Sequence, residues 1–85
     1  MSLAVLRSII GLLDRLLFWA LGRRMAAAAA VGRAKKRRGL EARQPQQWAA
    51  VQERGRRLGR AAGLSRRFVE GYLDQVHAEA LRRQR

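Results

Sequence analysis

Ten positions at heptad spacing, Leu3, Leu6, Ile10, Leu13, Leu17, Ala20, Arg24, Ala27, Val31 and Ala34, form one seam near the amino terminus, and nine of them are apolar. An apolar residue every 3.5 positions, sustained over nearly five heptads, is the signature of a helix that buries a narrow stripe against another helix. At 1.5 Å per residue such a helix is on the order of 50 Å long. The chain has only 85 residues, near the size where one hydrophobic core is marginal. What remains after the seam suffices for two helices of about half that length, too short to cover it. The seam therefore predicts pairing with the same helix of another chain, an intertwined homodimer, and an isolated chain that folds poorly.

Two further points punctuate the sequence. Gly39 follows the basic run Lys35-Lys36-Arg37-Arg38 and reads as the residue just past a helix whose last turn carries cations. Gly63 followed by Ser65 reads as a helix stop and then an N-cap. The single proline, Pro45, suits the first position of a helix, where its missing N–H costs nothing. The expected helices are 3–38, 45–62 and 66–84. No segment alternates like a strand, so the fold class is all-α, three helices in one domain spanning 1–85.

Composition narrows the chemistry. With no cysteine and one histidine, His77, disulfides, thiolate metal sites and a histidine zinc site are excluded, and neither HExxH nor a phosphate-binding glycine loop is present. The formal charge of +13 calls for an anionic partner: a small polyanion, nucleic acid or an anionic membrane. The apolar, arginine-bearing amino terminus resembles a targeting segment, but Arg7, Asp14 and Arg15 interrupt it. Its longest clean run, Leu16 to Gly22, is far short of the ~20 residues a spanning helix needs. The segment is read as mature protein and the location as cytoplasmic, with a surface-lying amphipathic helix as the weaker alternative.

Arg24 is the one flaw in the seam. A guanidinium on an apolar stripe is costly unless an anion meets it, or unless it sets register or snorkels to water. Lys35 lies eleven residues on, about 20° around the helix and ~16 Å along it. The two cations could converge on a small anion, with the Ala26–Ala30 run leaving room beside the helix, although alanine is also simply the best helix former. In the later helices Trp48, Val51, Gly55, Leu58 and Ala62 form one stripe, and Val69, Leu73, Val76 and Ala80 another. Phe68 and Tyr72 flank the second and read as core. His77 reads as a surface or helix-packing histidine, and Gln84 taken alone as a frayed terminal residue.

Leu6-Arg7, Leu13-Asp14, Arg23-Arg24, Val31-Gly32-Arg33-Ala34-Lys35, Gly63-Leu64, Phe68-Val69 and Gln84 together resemble the AroQ-class, all-helical chorismate mutases over nearly the whole chain. The joint spacing of Arg7, Arg24, Lys35 and Gln84 is the most specific part. The resemblance implies an intertwined helical homodimer with two shared active sites, each taking one arginine from the partner chain. It implies a dicarboxylate substrate, chorismate, rearranged to prephenate in aromatic amino-acid biosynthesis from the shikimate pathway, without cofactor or metal. Arg24, Lys35 and Gln84 of one chain would act with Arg7 of the other. Arg7 lies seventeen residues before Arg24, ~25 Å along the helix, so the two cannot share a site within one chain.

The pattern departs from the family at Gln44-Pro45-Gln46-Gln47-Trp48, where mutases typically carry Asp-x-x-Arg-Glu. Gln47 falls on the family's arginine and Trp48 on the glutamate that holds the substrate hydroxyl, so both are expected to touch substrate. Ala80 likewise replaces a commonly polar residue. Leu21-Gly22-Arg23-Arg24-Met25, Pro45 and Phe68-Val69-Glu70-Gly71 are similar to the related isochorismate–pyruvate lyases, which lack that glutamate. A mutase acting on an amino-substituted chorismate and a catalytically inactive homologue are further alternatives of the same fold. A nucleic-acid-binding helical dimer is the alternative of another class, motivated by the charge and the 33–38 basic cluster. The charges are spread over all three helices and lack interleaved aromatics, which argues against a nucleic-acid partner.

Overall fold

A computed structural model describes residues 1–41 and 44–84. It contains three helices, α1 (Leu3–Arg37), α2 (Pro45–Ala61) and α3 (Arg66–Gln84), and no strand among the described residues. The expected boundaries hold to within a residue, and each has a local cause. Ser2 caps α1, its Oγ accepting a hydrogen bond from the Val5 N–H at 3.2 Å. At the other end Gly39 adopts φ +70°, a left-handed conformation that a side chain disfavours. The Leu40 N–H then reaches the Lys35 carbonyl and the Gly39 N–H that of Lys36, which closes a Schellman motif. Gly63 ends α2 in the same way. Pro45 occupies the first turn of α2, and Ser65 Oγ accepts from the Phe68 N–H to start α3.

α3 is the central element, packed against the carboxyl-terminal half of α1 on one side and against α2 on the other. Its buried stripe, Val69, Leu73, Val76, Ala80 and Leu81, meets Met25, Ala28 and Gly32 of α1, with Leu21 alongside. Gly55 and Gly59 of α2 lie directly against Leu73 and Val69, so two missing side chains set how closely α2 approaches. Arg56 Nε donates to Glu70 Oε1 at 2.7 Å and ties α2 to α3 at the surface. That hydrogen bond holds the Glu70 carboxyl below its ordinary range and raises the Arg56 guanidinium above its own.

The seam, expected to pair with another chain, is not what α3 covers, and three side chains expected to be buried, Leu58, Phe68 and Tyr72, are exposed. α3 covers not the heptad seam of α1 but the stripe one residue further on, Leu21-Met25-Ala28-Gly32, turned by about 100°. Ala27 and Val31 of the seam stay exposed. Leu58 is 63% exposed, because Gly59 rather than Leu58 faces α3. Phe68 and Tyr72, expected in the core, are exposed as well, lying off the Val69–Leu73–Val76 stripe.

Among the described residues, the amino-terminal half of α1 has no neighbour from the other helices. From Val5 to Trp19 the large apolar side chains are 41–73% exposed. The molecule measures 55 × 23 × 15 Å with a radius of gyration of 15.8 Å, against about 12 Å for a compact chain of this length. Its accessible surface is 6994 Å², where a folded monomer of 9.6 kDa should expose roughly 5,100 Å². The difference, on the order of 1,900 Å² per chain, is what one side of an extensive obligate interface buries. Among the described residues, no helix is long and apolar enough to cross a membrane.

Candidate functional site

The seam left uncovered by α3 becomes the floor of a cavity. Arg24, Ala27, Ala28, Val31 and Lys35 of α1 line it, with Gln47, Trp48 and Val51 of α2, His77, Ala80, Leu81 and Gln84 of α3, and Gln44 just before α2. Its volume is about 450 Å³, room for a small organic molecule. The alanines explain why it exists. At Ala27, Ala28 and Ala80 a short side chain stands where a leucine would fill the space between the helices. Alanine was open to a propensity reading in the sequence; in the structure, its small volume is what the cavity uses.

Five of the six expected site residues, Arg24, Lys35, Gln47, Trp48 and Gln84, meet in this cavity. Arg7 does not, lying ~25 Å away along the same helix. Lys35 Nζ donates to Gln84 Oε1 at 3.2 Å, across 49 residues of sequence. Gln84 is therefore not a frayed end. An ammonium can only donate, so the Gln84 amide oxygen must face Lys35 and its NH₂ must point elsewhere. The contact converts a terminal glutamine into an oriented donor.

The approach of α3 to α1 at this point depends on Gly32. A Cβ at that position would lie 2.7 Å from Gln84 Cα and 2.8 Å from Gln84 Cβ, so backbone rather than a flexible side-chain end would have to move. Gly32→Ala should gain up to ~1 kcal/mol in helix propensity but lose about 1–3 kcal/mol to overpacking. Net destabilisation is expected, read as a lower denaturation midpoint. An unchanged or raised midpoint would show that the helix ends have slack.

Two polar residues outside the expected set also line the wall. His77 stacks on Trp48, with ring centroids 3.8 Å apart and planes inclined by 14°. The helix-packing reading of His77 is thus the apt one, and the packing places the imidazole at the cavity. The signal available in sequence was its spacing: His77 precedes Gln84 by seven residues, which puts both on one face of a helix. Gln44, the residue before Pro45, also reaches the wall. Trp48 forms a side of the cavity rather than plugging it.

The electrostatic character is one-sided. Among the described residues the lining holds two cations, Arg24 and Lys35, and no carboxylate. The remaining polar groups are three amides, one indole and one imidazole. A planar guanidinium grips a carboxylate with two parallel hydrogen bonds, whereas an ammonium offers a compact point charge. The arrangement suits a small anion with an apolar ring, its carboxylate on Arg24 and its body against Val31, Val51 and Leu81.

Against known protein families, residues 6–85 match the family model described as chorismate mutase type II. Comparison with curated proteins and comparison with solved structures each return no match.

Proposed function

The chain belongs to the chorismate mutase type II family, isomerases that convert chorismate to prephenate, and we propose that the α1–α2–α3 cavity is where this chain does so. The observation that carries the proposal is the juxtaposition of Arg24 with the Lys35–Gln84 pair in one pocket whose other lining residues are uncharged among the described residues. The rearrangement is pericyclic: the ether C–O bond breaks as the enolpyruvyl methylene bonds to the ring, with no proton lost and no covalent enzyme intermediate. An enzyme can then help in two ways only, by holding the compact conformer and by stabilising negative charge that gathers on the ether oxygen. Arg24 holds a carboxylate. Lys35 and the NH₂ of Gln84 donate toward the ether oxygen, and their mutual hydrogen bond sets both in place before substrate arrives. Gln47 and Trp48 bound the ring end.

A second carboxylate needs a second grip, and Arg7 of a second chain supplies it. The exposed half of α1 that carries Arg7 is the apolar surface a homodimer would bury. A shared-site, cytoplasmic homodimer serving aromatic amino-acid biosynthesis is the setting this reading implies. The absence of a lining carboxylate among the described residues favours a second reading, isochorismate–pyruvate lyase or a mutase for an amino-substituted chorismate. Assaying chorismate and isochorismate side by side separates the chorismate mutase from the lyase. Prephenate from chorismate is expected; salicylate and pyruvate from isochorismate, with chorismate untouched, would replace the mutase by the lyase.

A further inference from the structure

We propose that Glu79, which stands outside the cavity, is a positioning residue: it braces the last turn of α3 and so holds the Gln84 amide in place. This rests on Gln84 being a donor to the ether oxygen, as proposed above, and concerns what keeps that donor where it is.

Gln84 is the last residue of α3. The final carbonyls of a helix lack partners within it, and such ends fray. A reacting group placed there needs an anchor. Part of it comes from α1, through the close approach at Gly32 and the hydrogen bond from Lys35. That approach brings two helix C-termini side by side. Their last turns carry Lys35, Lys36 and Arg37 on α1 and Arg82 and Arg83 on α3. Each cation suits the dipole of its own helix, but the two groups repel each other. Glu79 counters this from within α3. Arg82 donates to Glu79 Oε1 from Nε at 3.1 Å and again from Nη2, while Arg83 Nε donates to Oε2 at 2.9 Å. Each carboxylate oxygen thus takes one arginine, at i+3 and i+4, and the trio keeps one net positive charge rather than two. The Arg82 hydrogen bond, with that of Arg83 next, holds the Glu79 carboxyl below its ordinary range. Glu79 lies about 140° round the helix from Gln84 and is not part of the cavity lining. It can therefore act on the substrate only through the turn it braces.

The test compares Glu79→Gln in the otherwise unaltered chain and in Gln84→Ala. In the first, kcat for chorismate should fall about threefold, the worth of two exposed ion pairs, with KM nearly unchanged. The direction is diagnostic: through its field alone, loss of a negative charge near a cationic cavity would favour a dianion and lower KM. In Gln84→Ala, which has already lost the donor, the same substitution should cost nothing more. Amide hydrogen exchange reads the brace without turnover. The amides of Leu81 to Gln84 should exchange about threefold faster in Glu79→Gln, with those of Leu73 and Val76 unchanged. An equal loss in both backgrounds, no loss in either, or unchanged exchange in the last turn would overturn the assignment. Faster exchange in a protein whose unaltered form does not turn over chorismate would overturn the mutase reading and leave the brace standing.

Discussion

Arg24→Ala should lower kcat/KM for chorismate by about 10²- to 10³-fold, the usual cost of leaving a charged ligand group without its buried partner. The same substitution should leave the denaturation midpoint unchanged or slightly raised. These opposite expectations follow from where Arg24 sits. It is half-buried in the cavity wall, on the seam and off the stripe that packs on α3, so alanine removes no core contact and adds helix propensity. Arg24→Lys keeps the charge but loses the planar fork, and should recover only part of the activity. Equal loss of stability and activity would make Arg24 a structural residue. Near-normal activity in both variants would move the substrate carboxylate elsewhere.

The helices and their ends were legible in the sequence because each boundary has a local cause: Gly39, Pro45, Gly63 and Ser65 act within a turn of themselves. Which faces meet was not legible. Apolar periodicity shows that a helix has a buried side, but the Ala26–Ala30 run is apolar at every angle and names no partner. The register of α3 on α1 is fixed instead by Gly32, where the Gln84 backbone approaches within reach of a missing Cβ. Within the chain, the seam positions Arg24, Ala27 and Val31 line the cavity.

The site was legible to different degrees. Arg24 stood out because a charge interrupts an apolar stripe, and Lys35 because it shares that face. Gln84 and His77 carry no such contrast. A glutamine near a chain end and a lone histidine on an amphipathic helix have ordinary explanations, and only the α1–α3 approach and the Trp48 stack show what they touch. Leu58, Phe68 and Tyr72 mislead for the converse reason. Large apolar side chains imply burial, yet in a chain with this much exposed surface some apolar groups have nothing within the monomer to meet.

Arg7→Ala and Arg24→Ala, each nearly inactive alone, should restore about a quarter of the original activity when the two variants are refolded together in equal amounts. The separation of the two arginines along one continuous helix requires it. Helix α1 runs unbroken from Leu3 to Arg37, so Arg7 and Arg24 of one chain are held ~25 Å apart, more than the reach of both side chains. A site that uses both must take them from two chains. In a dimer of either variant, both sites then carry one lesion. In a mixed dimer, one site collects both lesions and the other none. Random pairing makes about half the dimers mixed, with one sound site in two, hence the quarter. A site built within a single chain behaves differently: every chain would keep its own lesion, and mixing would return only the sum of the two residual activities. That outcome would sever catalysis from the exposed half of α1 even if the protein proved dimeric. Recovery would show that the apolar surface between Val5 and Trp19 is covered in the active enzyme by another copy of the chain, and that assembly completes the site.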